Sequence, residues 1–159
     1  MLFMSFASSI LFSDVFFGFA IAIAIIGTLL AGIWDLLTTE IPDEIPYIMA
    51  TSGIFIWFVK MLATGNASIF INSLFVGTIF LIYGYVLYKT GQWGGGDGAL
   101  LASLGYLLPI LPGIFTFPLA FFINLYMIGA IWIVIYSLGF GIINKEARKT
   151  VFKKLWKKG

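Results

Sequence analysis

Two aspartates are the residues of this chain best placed to do chemistry. Asp35 ends the first long apolar run, and Asp97 follows three glycines at the start of a later one. A carboxylate at membrane depth is costly and is a functional candidate by default. If their helices are neighbours, the two carboxyl groups can share one proton, as paired acids that hydrolyse peptide bonds do. Alternatively each is a helix cap, with Asp97 as an N-cap, and spacing alone leaves both interpretations open.

The composition excludes most other chemistry. The chain has no His and no Cys, which rules out His or Cys metal sites, Ser-His and Cys-His catalysis, and disulfides. We therefore expect no metal, no other cofactor and no nucleic-acid partner. A Ser-Lys peptidase that uses Lys60 or Lys89 is a remote alternative.

The segment after Asp35 is acidic, and the segment before Asp97 is rich in glycine. After Asp35 come Glu40, Asp43 and Glu44 with no basic residue among them. These three carboxylates could attract a basic substrate, or they could favour the N-terminus of the next helix, with Pro42 in its first turn. Before Asp97, the glycines at positions 94 and 96 would let an extended peptide approach the backbone, or would simply form a turn.

The elements that must position these residues are transmembrane helices. Of 159 residues, 61% are hydrophobic and 10% charged, and the mean hydropathy is +1.07, whereas a soluble domain is about 25% charged. A span needs about 20 apolar residues. The sequence predicts an all-α polytopic membrane protein of about five helices, with a sixth as an alternative, and a first helix that is retained. The predicted helices are 15–34, 45–63, 68–88, 98–111 and 117–143.

The basic residues predict the orientation. Seven of the nine lie in residues 145–159, so the positive-inside rule places this tail in the cytoplasm. Five crossings then leave the N-terminus outside and put both polar segments, 36–46 and 89–98, on the cytoplasmic side. We expect a transmembrane domain over 1–144 and a basic cytoplasmic tail over 145–159, in the cytoplasmic membrane. The tail is interpreted chiefly as a topology anchor, with an amphipathic surface helix as the alternative.

Two motifs resemble those of a known family. Asp35-Leu36 followed by Ile41-Pro42-Asp43 resembles the D-L-x-x-x-x-I-P-[N/D] signature of type IV prepilin peptidases and archaeal preflagellin peptidases. The segment 94–97, Gly-Gly-Gly-Asp, is similar to their G-x-G-D. The resemblance implies an aspartic endopeptidase with Asp35 and Asp97 as catalytic residues. It would cleave prepilin or archaellin-like precursors on the cytoplasmic side, after a short basic leader.

The chain also departs from that pattern. It lacks the cysteine-bearing segment of many bacterial relatives, so we expect a peptidase without N-methyltransferase activity. Ala99 stands where many relatives have Lys. A presenilin-like GxGD protease is a second hypothesis, although Trp34 rather than Tyr precedes Asp35. A transporter or channel subunit whose carboxylates bind protons or cations is a third, and a homo-oligomer is left open.

Overall fold

Five helices make up the part of the chain that the computed structural model describes, which is residues 15–109 and 117–143. These ranges contain no strand. The helices are α1 Val15–Thr38, α2 Glu44–Thr64, α3 Ser68–Lys89, α4 Gly95–Leu107 and α5 Phe117–Ile143. The predicted cytoplasmic tail, 145–159, lies outside the described residues.

Four of the helices are long and apolar enough to cross a membrane, namely α1, α2, α3 and α5. The fourth helix, α4, is short, as predicted: its 13 residues extend only about 20 Å at 1.5 Å per residue, less than a hydrocarbon core of about 30 Å. The all-α polytopic membrane class is thereby confirmed.

Three predicted helix boundaries need correction, and two of them concern the aspartates. The third is the end of α4, predicted at residue 111 but found at Leu107, because Pro109 has no backbone N–H and disfavours a helical conformation of the residue before it. Helix α1 continues past Trp34 to Thr38, so Asp35 lies inside its last turn. Helix α4 begins at Gly95, so Asp97 lies inside its first turn. The sequence-based boundaries stopped at the first charge, but the hydrogen bonds of a helix continue beyond its apolar stretch as long as the backbone groups find partners.

The chain divides into two units, Met1–Pro118 and Leu119–Gly159. Within the first unit, α4 packs against α1, α2 and α3. Almost all of α5 belongs to the second unit. Its span, Pro118–Phe140, contains no charged residue.

The first unit is packed through small residues and one buried tryptophan. Helix α1 buries a stripe at helical spacing that includes Ala20, Ala24 and Gly27, the kind of surface that lets helices approach closely without a bulky core. Trp57 of α2 is fully buried, and its Nε1–H donates to the backbone oxygens of Tyr106 at 3.1 Å and Leu107 at 3.2 Å. The last two carbonyls of α4 thus accept hydrogen bonds from α2, which ties the end of α4 to the bundle.

Replacing Gly53 by Ala is expected to destabilise the bundle by about 1–3 kcal/mol, the usual range for overpacking. A Cβ atom at Gly53 would lie 2.9 Å from the backbone of Tyr106 and Leu107, which cannot yield without moving α4. Gly32→Ala is the matched control, because nothing lies within 4 Å of its Cβ position. That control should be neutral or stabilising by up to about 1 kcal/mol. Equal unfolding temperatures of the two variants in detergent would contradict the packing.

Candidate active site

Asp35 and Asp97 line the same open pocket, which has a volume of about 510 Å³. The pocket lies where α1 ends, α2 begins, α3 ends and α4 begins, so the two polar segments of the sequence meet at one end of the bundle, as predicted. Its remaining walls are 39–43, Tyr88 and 94–96. Of the predicted substrate-binding residues, Glu40, Asp43, Gly94 and Gly96 line the pocket, whereas Glu44 is not among its lining residues.

The first wall begins with Asp35 and a strained turn. The backbone oxygen of Asp35 accepts a hydrogen bond from the N–H of Thr39 at 2.7 Å, which closes the last turn of α1. Thr39 has a φ of 61°, a left-handed conformation that β-branched residues rarely adopt. Such strain costs of the order of 1–3 kcal/mol and tends to occur at functional sites. Here the turn redirects the chain so that the next residues form the pocket wall.

The capping interpretation of the acidic loop holds only in part. Glu44 lies in the first turn of α2, where its charge favours the helix dipole. Asp43 occupies the N-cap position, but its side chain makes no capping hydrogen bond. Pro42 precedes the helix instead of lying in its first turn, which holds Pro46. Glu40 and Asp43 are exposed and line the pocket, and Asp43 at the N-cap position also lies where its charge favours the helix dipole.

Asp97 lies at the third position of α4 and is not the N-cap. Gly94 is the N-cap residue, and its N–H donates to Oδ2 of Asp97 at 3.1 Å. The carboxylate thus reaches back over the helix start, as the acidic residue of a capping box does. Asp97 therefore stabilises the start of α4 and lines the pocket at the same time, so the two interpretations of this residue are compatible.

The three glycines before Asp97 are not equivalent. A Cβ at Gly96 would lie 2.8 Å from the Cβ of Ile41, and one at Gly94 would lie 3.2 Å from Oδ2 of Asp97. At Gly95 the nearest atom would be 3.6 Å away, in the ring of Tyr88, which is an ordinary contact. The two fixed glycines of G-x-G-D thus occupy the crowded positions, and the variable one occupies a position where a Cβ would make only ordinary van der Waals contact.

Contact between Ile41 and Gly96 joins the two motifs. Ile41 belongs to the segment after Asp35, and Gly96 directly precedes Asp97. Sequence reasoning named Gly96 as a place of close approach but did not name its partner, since nothing in the spacing indicates which residue lies opposite. Because Gly96 has no Cβ, the segment that follows Asp35 can lie close to the start of α4, which carries Asp97.

The connection between α3 and α4 is tied to the end of α3. Gly91 takes a positive φ of 71°, and the N–H groups of Gln92 and Trp93 both donate to the oxygen of Leu87, at 3.0 and 3.3 Å. The ring of Trp93 makes an edge contact with Tyr83 at 6.5 Å between centroids. These bonds hold the start of α4, and with it Asp97, against α3.

Tyr88 is a pocket residue that sequence reasoning did not single out. It was taken as the last residue of the third span, yet its side chain lines the pocket. Its position was the available signal, because an aromatic residue at the end of a span lies at the membrane interface, which is where the aspartates were predicted.

The arrangement suits acid–base chemistry on an extended chain. Asp35 and Asp97 are both exposed at the protein surface, and they line an open pocket, so the protein itself leaves them accessible to a peptide backbone. Within residues 15–109 and 117–143 there is no cluster of three or more carboxylates able to hold a metal ion.

Comparison with known proteins agrees with the motifs. The model of the type IV leader peptidase family matches residues 19–134. A preflagellin peptidase of Methanococcus maripaludis is 34% identical over 87 residues, which cover 55% of this chain and 37% of the relative. A preflagellin peptidase of Methanococcus voltae is 36% identical over 90 residues, 57% of this chain and 38% of the relative. The aligned segment thus spans well under half the length of these curated relatives.

No solved structure matches the chain. The family match includes both aspartates and both motifs, and it covers more than half of the sequence. The chain belongs to the type IV leader peptidase family.

Proposed function

We propose that this protein is a membrane-embedded aspartic endopeptidase that cleaves the leader from prepilin or preflagellin-like precursors, with Asp35 and Asp97 as its catalytic residues. The observation that carries the proposal is the meeting of both motifs, through Ile41 and Gly96, in a pocket lined by both aspartates. Family membership and the printed names of the two relatives support it.

The two carboxyl groups act as an acid and a base. One carboxylate takes a proton from a water molecule as the water oxygen attacks the peptide carbonyl, while the other, protonated, donates its proton to the carbonyl oxygen. Collapse of the tetrahedral diol breaks the C–N bond: the first carboxyl group passes its proton to the leaving amine, and the second carboxylate takes back a proton from the diol hydroxyl that becomes the C=O of the new carboxyl terminus. The hydroxyl group of water ends on the new carboxyl terminus, and both aspartates return to their starting states.

The two carboxylates of the pocket wall, Glu40 and Asp43, suggest where the leader of a precursor binds. Glu40 and Asp43 are exposed at the pocket, and a basic leader would be drawn to them. We place the pocket on the cytoplasmic side of the cytoplasmic membrane, on the charge distribution of the sequence, with 1–144 as the peptidase domain and 145–159 as the tail. We assign it no methyltransferase activity.

The proposal is tested by co-expressing the protein with an archaeal preflagellin or a type IV prepilin. We expect a shortened product whose new N-terminus, read by mass spectrometry, follows a basic leader. Failure to cleave any of a panel of such precursors, with the protein folded in the membrane, would contradict the proposal. Proton or cation flux through proteoliposomes, lost on Asp97→Asn and unaffected by peptide, would favour the transporter alternative instead.

Glu40→Gln and Asp43→Asn are each expected to lower kcat/KM roughly three- to tenfold at low salt. The negative charges of the pocket wall raise the local concentration of a basic substrate, and each substitution removes one of them. Glu44→Gln is the matched control, since Glu44 does not line the pocket, and it should change kcat/KM less than twofold. The differences should shrink as salt rises and vanish for a precursor whose leader lysines and arginines are replaced by Gln. Equal effects of all three variants would contradict this role of the pocket wall.

A further inference from the structure

Thr39 is the only residue other than glycine within 15–109 and 117–143 whose backbone φ is positive, at 61°. Glycine or asparagine adopts this left-handed conformation at little cost, whereas the branched Cβ of threonine crowds the backbone there. The turn after α1 therefore does not by itself require threonine at position 39. Strained residues persist where their surroundings fix them, and they cluster at functional sites, which directs attention to the side chain.

Hydrogen bonds on both sides hold Thr39 in this conformation. Its N–H donates to the backbone oxygen of Asp35 at 2.7 Å. The hydroxyl of Thr38 lies 2.9 Å from the backbone oxygen of Trp34 and 2.9 Å from that of Glu40, so it links the last turn of α1 to the segment that follows. The backbone that carries the Thr39 side chain is therefore fixed relative to Asp35.

The hydroxyl of Thr39 acts only as an acceptor toward the pocket. Its single proton is donated to the backbone oxygen of Thr38, at 2.6 Å from Oγ1. A hydroxyl oxygen can accept two hydrogen bonds in addition, and no donor in the described ranges of the chain occupies either place. Thr39 is exposed and lines the pocket of the two aspartates. The pocket wall therefore presents an uncharged acceptor at a fixed position.

The chemical group that matches this acceptor is a peptide N–H. An extended peptide that enters the pocket loses water from its backbone groups, and each N–H then needs a new acceptor. The carboxyl groups of Asp35 and Asp97 are engaged in proton transfer. Because the Thr39 proton is already committed, Oγ1 attracts an N–H and repels a carbonyl oxygen, so it distinguishes between the two groups that alternate along a peptide backbone.

We propose that Oγ1 of Thr39 accepts a hydrogen bond from one backbone N–H of the bound precursor and thereby sets which peptide bond lies at Asp35 and Asp97. This inference rests on the proposed peptidase function. The contact does not depend on the side chains of the precursor, because every residue except proline carries the N–H.

Backbone esters test the contact directly. The substrate is a synthetic peptide that spans the leader and the first mature residues of a preflagellin cleaved by the unmutated protein. In each derivative an ester replaces one amide other than the scissile one, which removes one N–H. We expect one ester to lower kcat/KM of the unmutated protein about three- to tenfold, the size of one uncharged hydrogen bond. Thr39→Gly should cleave the parent peptide about three- to tenfold less efficiently, and the same ester should change its kcat/KM by less than about twofold.

Thr39→Gly separates this contact from folding, because glycine adopts a φ of 61° without strain. The variant should therefore unfold at the same temperature as the unmutated protein or higher. Thr39→Ser keeps the hydroxyl and should keep the ester effect, and Thr39→Ala repeats the test if the glycine variant fails to fold. Thr51→Ala is the control, because Thr51 is exposed on α2 and its hydroxyl donates to the oxygen of Tyr47 at 2.8 Å. It should respond to every ester as the unmutated protein does.

Three results would overturn the contact. They are equal ester effects in Thr39→Gly and the unmutated protein, the absence of any ester effect in the unmutated protein, and unchanged cleavage of the parent peptide by Thr39→Gly. A fall in kcat by one factor on every peptide belongs to the first result and would leave Thr39 only the task of holding Asp35. Retained cleavage after Asp35→Asn and Asp97→Asn would instead overturn the proposed function, so the two failures are distinguishable.

Discussion

Asn in place of either Asp35 or Asp97 is expected to lower precursor cleavage by about a hundredfold or more, the scale of general acid–base catalysis. Asn has nearly the same shape as Asp but neither takes up nor releases a proton at the carboxyl position. Its side-chain oxygen can still accept the N–H of Gly94, the bond that Oδ2 of Asp97 accepts at 3.1 Å. Asp97→Asn should therefore keep the start of α4 intact while removing the chemistry.

The controls separate chemistry from folding. Asp43→Asn makes the same substitution in the same pocket and should retain activity within about tenfold. Asp97→Ala also removes the hydrogen bond from the N–H of Gly94 and should lower stability by about 0.5–1.5 kcal/mol, whereas Asp97→Asn should leave the unfolding temperature in detergent almost unchanged. Cleavage by either Asn variant at the unmutated rate would show that the pair is not catalytic.

Gly96→Ala is expected to reduce cleavage about ten- to a hundredfold with little loss of protein. The added Cβ would lie 2.8 Å from the Cβ of Ile41 and 3.3 Å from its backbone oxygen, so the segment after Asp35 must move away from α4. A displacement of about 1 Å in the position of a catalytic group can cost a hundredfold in rate. Initial rates of precursor cleavage in membranes, normalised to the amount of folded protein, give the measurement.

Gly95→Ala is the matched control for Gly96→Ala. It adds the same methyl group one residue earlier in the same helix turn, where the nearest atom is 3.6 Å away in the ring of Tyr88. Its activity should stay within about twofold of the unmutated protein. If Gly96→Ala also retained full activity, the contact between the two motifs would not position the aspartates.

The helices could be predicted from the sequence because charge and hydropathy set them directly. The runs 45–63 and 68–88 agree with α2 and α3 to within one residue at each end. The predicted helix ends were wrong where a helix includes a charged residue in its terminal turn. Helix α1 extends beyond Asp35, and helix α4 begins before Asp97. Those ends depend on hydrogen bonds, such as the bond from Thr39 to the oxygen of Asp35, which residue types alone do not show.

The candidate site could be predicted only as a set of residues. The motifs indicated Asp35 and Asp97 and the glycines beside them, but not the contact of Gly96 with Ile41 or the place of Tyr88 in the pocket wall. Such facts depend on how α1, α3 and α4 pack, and packing joins residues that are far apart in sequence. For the same reason, Glu44 could not be told apart from Glu40 and Asp43 without the structure.

The central claim, that Asp35 and Asp97 handle protons as one unit, is tested most directly by the double variant. Single-turnover cleavage rates are compared for Asp35→Asn, Asp97→Asn and the protein carrying both substitutions. Residues that act as a unit are strongly non-additive, so the double variant should cleave no more slowly than the slower single variant. Losses that multiply, with each aspartate contributing its factor independently of the other, would contradict a shared catalytic pair.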